Sequence, residues 1–105
     1  MFEYLALLVY LEELKRWPKQ DQDAAAKIPQ HLAENPYVGK PLNYLFLREK
    51  KIAGRRVYYL IYDDLKLVLL VATSEKKDQQ NTINHIKMYF DQFREIAEKI
   101  SRQVS

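Results

Sequence analysis

The chain has 105 residues, 48% of them apolar and 30% charged, with a formal net charge of +3. That balance describes one folded domain, spanning 1–105, with one core. It contains no cysteine, which excludes disulfides, thiolate catalysis and a cysteine-ligated zinc site and fits a reducing cytoplasm. The two histidines, His31 and His85, lie far apart, and no H-E-x-x-H or EF-hand pattern is present, so no metal or other cofactor is expected.

Phe2–Ala6 reads as a short strand. The longest apolar run, Tyr4–Leu11, is eight residues, far below a membrane span, and the acidic residues flanking it disfavour a secretory signal. Leu8–Trp17 has helical spacing, with Leu8, Leu11 and Leu14 on one face and Tyr10, Leu14 and Trp17 on an overlapping one. Pro18 closes that helix. Gln20–Ala33 reads as a second helix whose Ala25, Ile28 and Leu32 face the core. Pro29 predicts a bend there or an early end. Asn35–Tyr44 holds two prolines and a glycine and reads as loop.

Leu45–Ile52 and Arg55–Tyr62 read as a β-hairpin joined by Ala53–Gly54. From Arg48 to Arg56 this hairpin carries five cations and one anion, net +4, against +3 for the whole chain. Charge focused in this way on a rigid sheet attracts a polyanion, nucleic acid above all, although a charged hairpin also serves simply to keep an edge soluble. A two-residue turn sets Lys51 opposite Arg56 and Arg48 opposite Tyr59, with Arg56 on the other face from Arg48 and Lys50. A one-residue bulge would reunite them. Lys66–Thr73 is almost unbroken apolar sequence, so it predicts a central strand buried on both faces. Lys76 and Lys77 follow at its end, a usual place for a site. One long helix is expected from about Gln80 to Arg102, with Ile83, Ile86, Phe90, Phe93, Ala97 and Ile100 in a stripe.

In this order the segments FEYLALLVYLEELKRWPK, NPYVGKPL, LREKKIAGRRVYYLIYDD and LVLLVATSEKKD resemble the RelE/ParE toxin superfamily over nearly the whole chain. The likeness is to its RelE-like ribosome-dependent endoribonucleases, with a final helix similar to that of HigB-like members. The resemblance implies an α+β fold, β-α-α-β-β-β-α, with a helical hairpin and a long C-terminal helix packed on a mainly antiparallel sheet. It implies a type II toxin that cleaves mRNA on the ribosome without a metal, in the cytoplasm, restrained by a cognate antitoxin. A homodimer or a toxin–antitoxin heterotetramer is the assembly to expect. The alternatives are a ParE-like topoisomerase inhibitor and a non-catalytic nucleic-acid-binding or assembly protein.

The resemblance assigns catalysis to Arg48, Lys50, Arg56 and Lys76. Lys50 would be a general base whose proton is loosened by its cationic neighbours, Arg48 and Arg56 would hold the phosphate, and Lys76 would protonate the leaving oxygen. Lys51, Arg55, Lys77, Tyr58 and His85 would bind RNA. Family members carry a tyrosine shortly after the basic loop. Gln79–Thr82 contains none, and His85 and Tyr89 are the nearest aromatic substitutes.

Overall fold

The structure, a computed structural model, describes residues 1–104, with side chains through Gln103. Strand β1 (Glu3–Ala6) leads to helices α1 (Leu8–Leu14), α2 (Lys19–Ala25) and α3 (Ile28–Glu34). A 3-10 turn at Pro36–Val38 precedes β2 (Lys40–Pro41), and the hairpin follows as β3 (Leu47–Ile52) and β4 (Arg55–Tyr62). Strand β5 (Leu67–Glu75) ends in a 3-10 turn, Lys76–Asp78, before α4 (Gln79–Met88) and α5 (Phe90–Val104). The sheet order is β1-β5-β4-β3-β2, parallel only between β1 and β5. The α+β fold class agrees with the sequence reading, while β2 adds a fifth strand inside the expected Asn35–Tyr44 loop and β3 begins at Leu47, two residues later than expected. Among the described residues no helix is long and apolar enough to cross a membrane.

The sheet is covered on both sides. One face packs Val57, Tyr59, Val68 and Leu70 against Tyr10, Trp17, Ala25, Ile28 and Leu32 from the first three helices and their connections. The other packs Leu47, Tyr58, Leu60 and Leu69 against Ile83, Ile86 and Ala97 of the last two. This double coverage is why β5 shows no alternation of apolar and polar residues.

Three helical expectations change. Leu8 and Leu11 of α1 are exposed, and the buried stripe is Tyr10, Leu14 and Trp17. At 3.6 residues per turn Leu8 lies roughly 200° round from Tyr10, so the two leucines cannot share its face. The second helix ends at Ala25 and restarts as α3, with Pro29 in its first turn. There a missing N–H costs nothing. The C-terminal helix is two helices. Its ladder breaks at Tyr89, whose N–H bonds to the Ile86 carbonyl at 3.0 Å, and Phe90 turns against Tyr44 and Phe46, ring centroids 5.2 Å away.

The Tyr10 hydroxyl is buried without a hydrogen-bond partner among the described residues, and burial pushes its pKa up. An unpaired buried hydroxyl costs about 1–3 kcal/mol. Tyr10→Phe, which keeps the ring, is therefore expected to raise the urea midpoint, by about 1 kcal/mol in stability. A lowered midpoint would mean that the hydroxyl finds a partner in solution.

Candidate nucleic-acid interface

The hairpin turn fixes which cations meet. Ala53 and Gly54 both take positive φ, 50° and 84°, as a two-residue turn that follows the twist of its strands requires. With no bulge in this pair, Ile52 faces Arg55, Lys51 faces Arg56, Lys50 faces Val57 and Arg48 faces Tyr59. The irregularity lies instead between β4 and β5, at Tyr58/Tyr59. Arg56 and Lys51 thus share one face of the sheet, while Arg48 and Lys50 belong to the other.

On the Arg56 face, Ser74 of β5 completes the row with Lys51 and Arg56, and the next row is Lys40, Glu49, Tyr58 and Ala72. Arg56 Nε donates to Glu49 Oε2 at 3.0 Å. Gln79 Nε2 donates to both oxygens of the same carboxylate, at 2.5 and 3.1 Å. The Tyr58 hydroxyl lies 2.7 Å from Ser74 Oγ. Burial raises the Tyr58 pKa, as does the nearby Glu49 charge, against the pull of Ser74 and Arg56, so this phenol stays protonated at neutral pH. An open cleft of about 360 Å³ adjoins the row, lined by Val38, Gly39, Lys40, Glu49, Lys50 and Lys51. Two cations set directly opposite each other, Lys51 and Arg56, repel. An anion bound between them relieves that repulsion.

The other expected site residues are placed differently. Arg48 is buried, with Nε donating to the Leu45 carbonyl at 3.0 Å and Nη1 to the carbonyls of Tyr37 and Gly39 at 2.9 Å. Its guanidinium is engaged in holding the loop before β3 and is not presented to a phosphate. Lys50 also lines the cleft but, paired with Val57, belongs to the opposite face of the sheet from Arg56. Arg55 pairs with Asp21 at 2.5 Å and lies over the Trp17 ring at 5.6 Å, which fastens the hairpin to α2. Tyr58 is fully buried, so its ring offers no face to a base. Lys76 and Lys77 are exposed in the turn that starts two residues beyond Ser74, and Lys77 Nζ is 3.8 Å from Glu75. His85 stacks on Tyr89, rings 4.8 Å apart. It lines a separate groove with Val9, Glu13, Thr73 and Thr82, which none of the hairpin cations reaches.

Glu49, Gln79 and Lys40 were missed. Glu49 was legible, since it lies two residues before Lys51 on a strand and therefore on the Arg56 face. Lys40 was not, because a two-residue strand containing proline gives no pattern.

The five-stranded mixed sheet, with three short helices on one face and two on the other, gives this chain the fold of solved RelE toxins. Three solved structures illustrate the likeness. An arginine-to-alanine double variant of the E. coli toxin RelE in the free state superposes with a TM-score of 0.69 at 14% identity, covering 83% of this chain and 96% of that one. The toxin–antitoxin complex RelBE of E. coli gives 0.63 at 15%, covering 71% and 96%. The RelBE2 complex of Mycobacterium tuberculosis gives 0.62 at 20%, covering 71% and 98%. No protein-family model matches the chain, and no curated protein matches it by sequence.

Proposed function

We propose that this chain is the toxin of a type II toxin–antitoxin pair and an endoribonuclease that cuts mRNA on the ribosome. The observation that carries the reading is the placement of Arg56, Lys51 and Lys40 on one face of a fold that spans almost the entire length of RelE toxins. Cleavage needs the 2′-OH to attack the adjacent phosphorus, forming the 2′-O–P bond and breaking the P–O5′ bond. Arg56 meets the charge that builds on the phosphoryl oxygens. Lys51, directly opposite, accepts the 2′ proton in the fraction of molecules where it is the neutral amine, and Lys76, beyond the end of β5 and protonated, supplies one to the leaving 5′ oxygen. Compared with the sequence reading, Lys51 takes the place given to Lys50, and Arg48 leaves the site. The antitoxins in the neighbouring complexes make a cognate antitoxin the partner to look for.

The test is induced expression in a bacterial host with 5′-end mapping of mRNA, beside a Lys51→Ala/Lys76→Ala variant. Both lysines are exposed, so the variant keeps its fold. Growth arrest with cuts inside codons, lost in the variant, is the expected result. Arrest with intact message would replace this reading with a topoisomerase inhibitor. Absence of arrest would favour a second reading, a binding protein without catalysis. One observation speaks for that reading: Arg48 and Arg55 are held in structural contacts, and His85, stacked on Tyr89, lines another groove.

Lys40 gives a graded check on either reading. Lys40→Ala is expected to weaken binding of a 2′-deoxy-substituted, uncleavable RNA about equally for all sequences. It should also lower the slope of log affinity against log salt by about one. An unchanged slope would remove Lys40 from the interface.

A further inference from the structure

Arg56 is held in an unusual way. The residue is 6% exposed and Glu49 only 2%, yet the guanidinium uses only Nε, bonded to Glu49. Neither Nη atom has a hydrogen-bond partner among the described residues. Neither is sealed from solvent, because Tyr10 Oη alone stands among them as a buried side-chain polar atom without a partner. The stem is therefore enclosed, one edge of the guanidinium is fixed, and the Nη1–Nη2 edge looks outward. Glu49 is itself fixed, since Gln79, the first residue of α4, donates to both its oxygens.

We propose that Glu49 and Gln79 are positioning residues, a clamp that aims the free edge of Arg56 at a phosphodiester oxygen. The assignment rests on the reading of this face as the site for RNA, and it adds a residue, Glu49, that charge alone would count against the site. A carboxylate beside the key arginine subtracts from the field a polyanion feels. It also removes the freedom an exposed arginine loses on binding, and a planar guanidinium pinned at Nε gives two parallel donors of fixed direction. Gln79 keeps the carboxylate from swinging into the cleft, and it does so from the residue where the chain leaves the Lys76–Asp78 turn. The clamp therefore links the position of Lys76 to that of Arg56.

The experiment uses the whole chain and two variants. Glu49→Gln keeps size and a carbonyl acceptor but not the charge. Gln79→Ala is half-buried at a helix start and leaves the core untouched. Inorganic phosphate and an uncleavable 2′-deoxy-substituted RNA are titrated while the arginine side-chain N–H signals are followed by NMR. In the wild type, Arg56 Nε–H is expected to be protected before ligand is added, and both ligands should shift only its Nη signals. In each variant the Nε–H protection falls, and RNA affinity drops by roughly tenfold, the worth of one hydrogen bond to a charged group. In cleavage assays the Glu49→Gln variant should lose kcat with the pH profile unmoved, since a positioning carboxylate neither gives nor takes a proton.

Unchanged Nε–H protection in Glu49→Gln, or phosphate that leaves the Nη signals in place, overturns the clamp. So does loss of the acid limb of the pH profile, which would make Glu49 the proton acceptor. Phosphate binding that depends on Glu49 in a protein that cuts no message keeps the clamp and retires the nuclease. Full cleavage by both variants does the reverse.

Discussion

An Arg56→Ala protein is expected to be about 3–5 kcal/mol less stable than the wild type, as well as inactive. Removing one partner of a buried ion pair leaves the other charge in the interior without compensation. Glu49 would keep only its bonds from Gln79. Inactivity of this variant alone would therefore say little about chemistry. Arg56→Lys separates the two effects. A lysine keeps the charge near Glu49 but cannot reproduce a fork with one edge pinned and the other free. Cleavage should fall by about 10²–10³, the loss seen when one donor to a developing anion is removed, with a much smaller change in the urea midpoint. The Arg56→Ala/Glu49→Gln double variant should regain part of the lost stability, because no unpaired charge remains, and the cycle measures the coupling. If Arg56→Ala unfolds at the wild-type midpoint, the buried pair is not formed in solution.

Gly39→Ala is expected to have the next largest effect, although Gly39 has an ordinary φ of −76°. The constraint is space. A Cβ there would lie 2.4 Å from the Tyr59 hydroxyl and 2.7 Å from the Glu49 carbonyl oxygen. The carbonyl belongs to the β2–β3 ladder, where Lys40 pairs with Glu49, so it cannot retreat without opening that pair. The hydroxyl accepts from the Gly39 N–H at 3.0 Å and donates to the Pro36 carbonyl at 2.7 Å, bonds that a displaced Tyr59 would lose while still buried. Overpacking of this kind costs about 1–3 kcal/mol, and an orphaned buried polar group about the same again. A destabilisation of about 3 kcal/mol with weakened RNA binding is the expected outcome in denaturation and titration experiments. Wild-type stability would mean that the loop carrying Gly39 sits further from β3 than described.

Much of the fold could be read because its signals are local. The continuous apolar run ending at Thr73 marks a strand covered on both sides, and Ala53–Gly54 marks a turn that fixes the hairpin register. What escaped was set by tertiary contacts. The stripe from Ile83 to Ile100 satisfies one straight helix, and the break at Tyr89 occurs where Phe90 turns onto Tyr44 and Phe46, residues more than forty positions earlier. At the site, the register put Arg56 apart from Arg48 and Lys50, while the family likeness grouped all three. The backbone geometry sides with the register. A sequence lists cations without telling which are turned inward, and Arg48 and Arg55 look no different from Lys51 until the carbonyls and carboxylate that hold them are in place.

Arg48 and Arg55 hold the two flanks of the hairpin by different physics. Arg55 meets a counter-ion, Asp21, at a partly open boundary, and dissolved ions weaken such an attraction. Arg48 meets carbonyl dipoles and the Tyr37 ring, but no counter-ion, in a place water hardly enters, where screening has little to act on. Concentrated salt is therefore expected to slacken the hairpin's tie to α2 while the strap across its back stays closed.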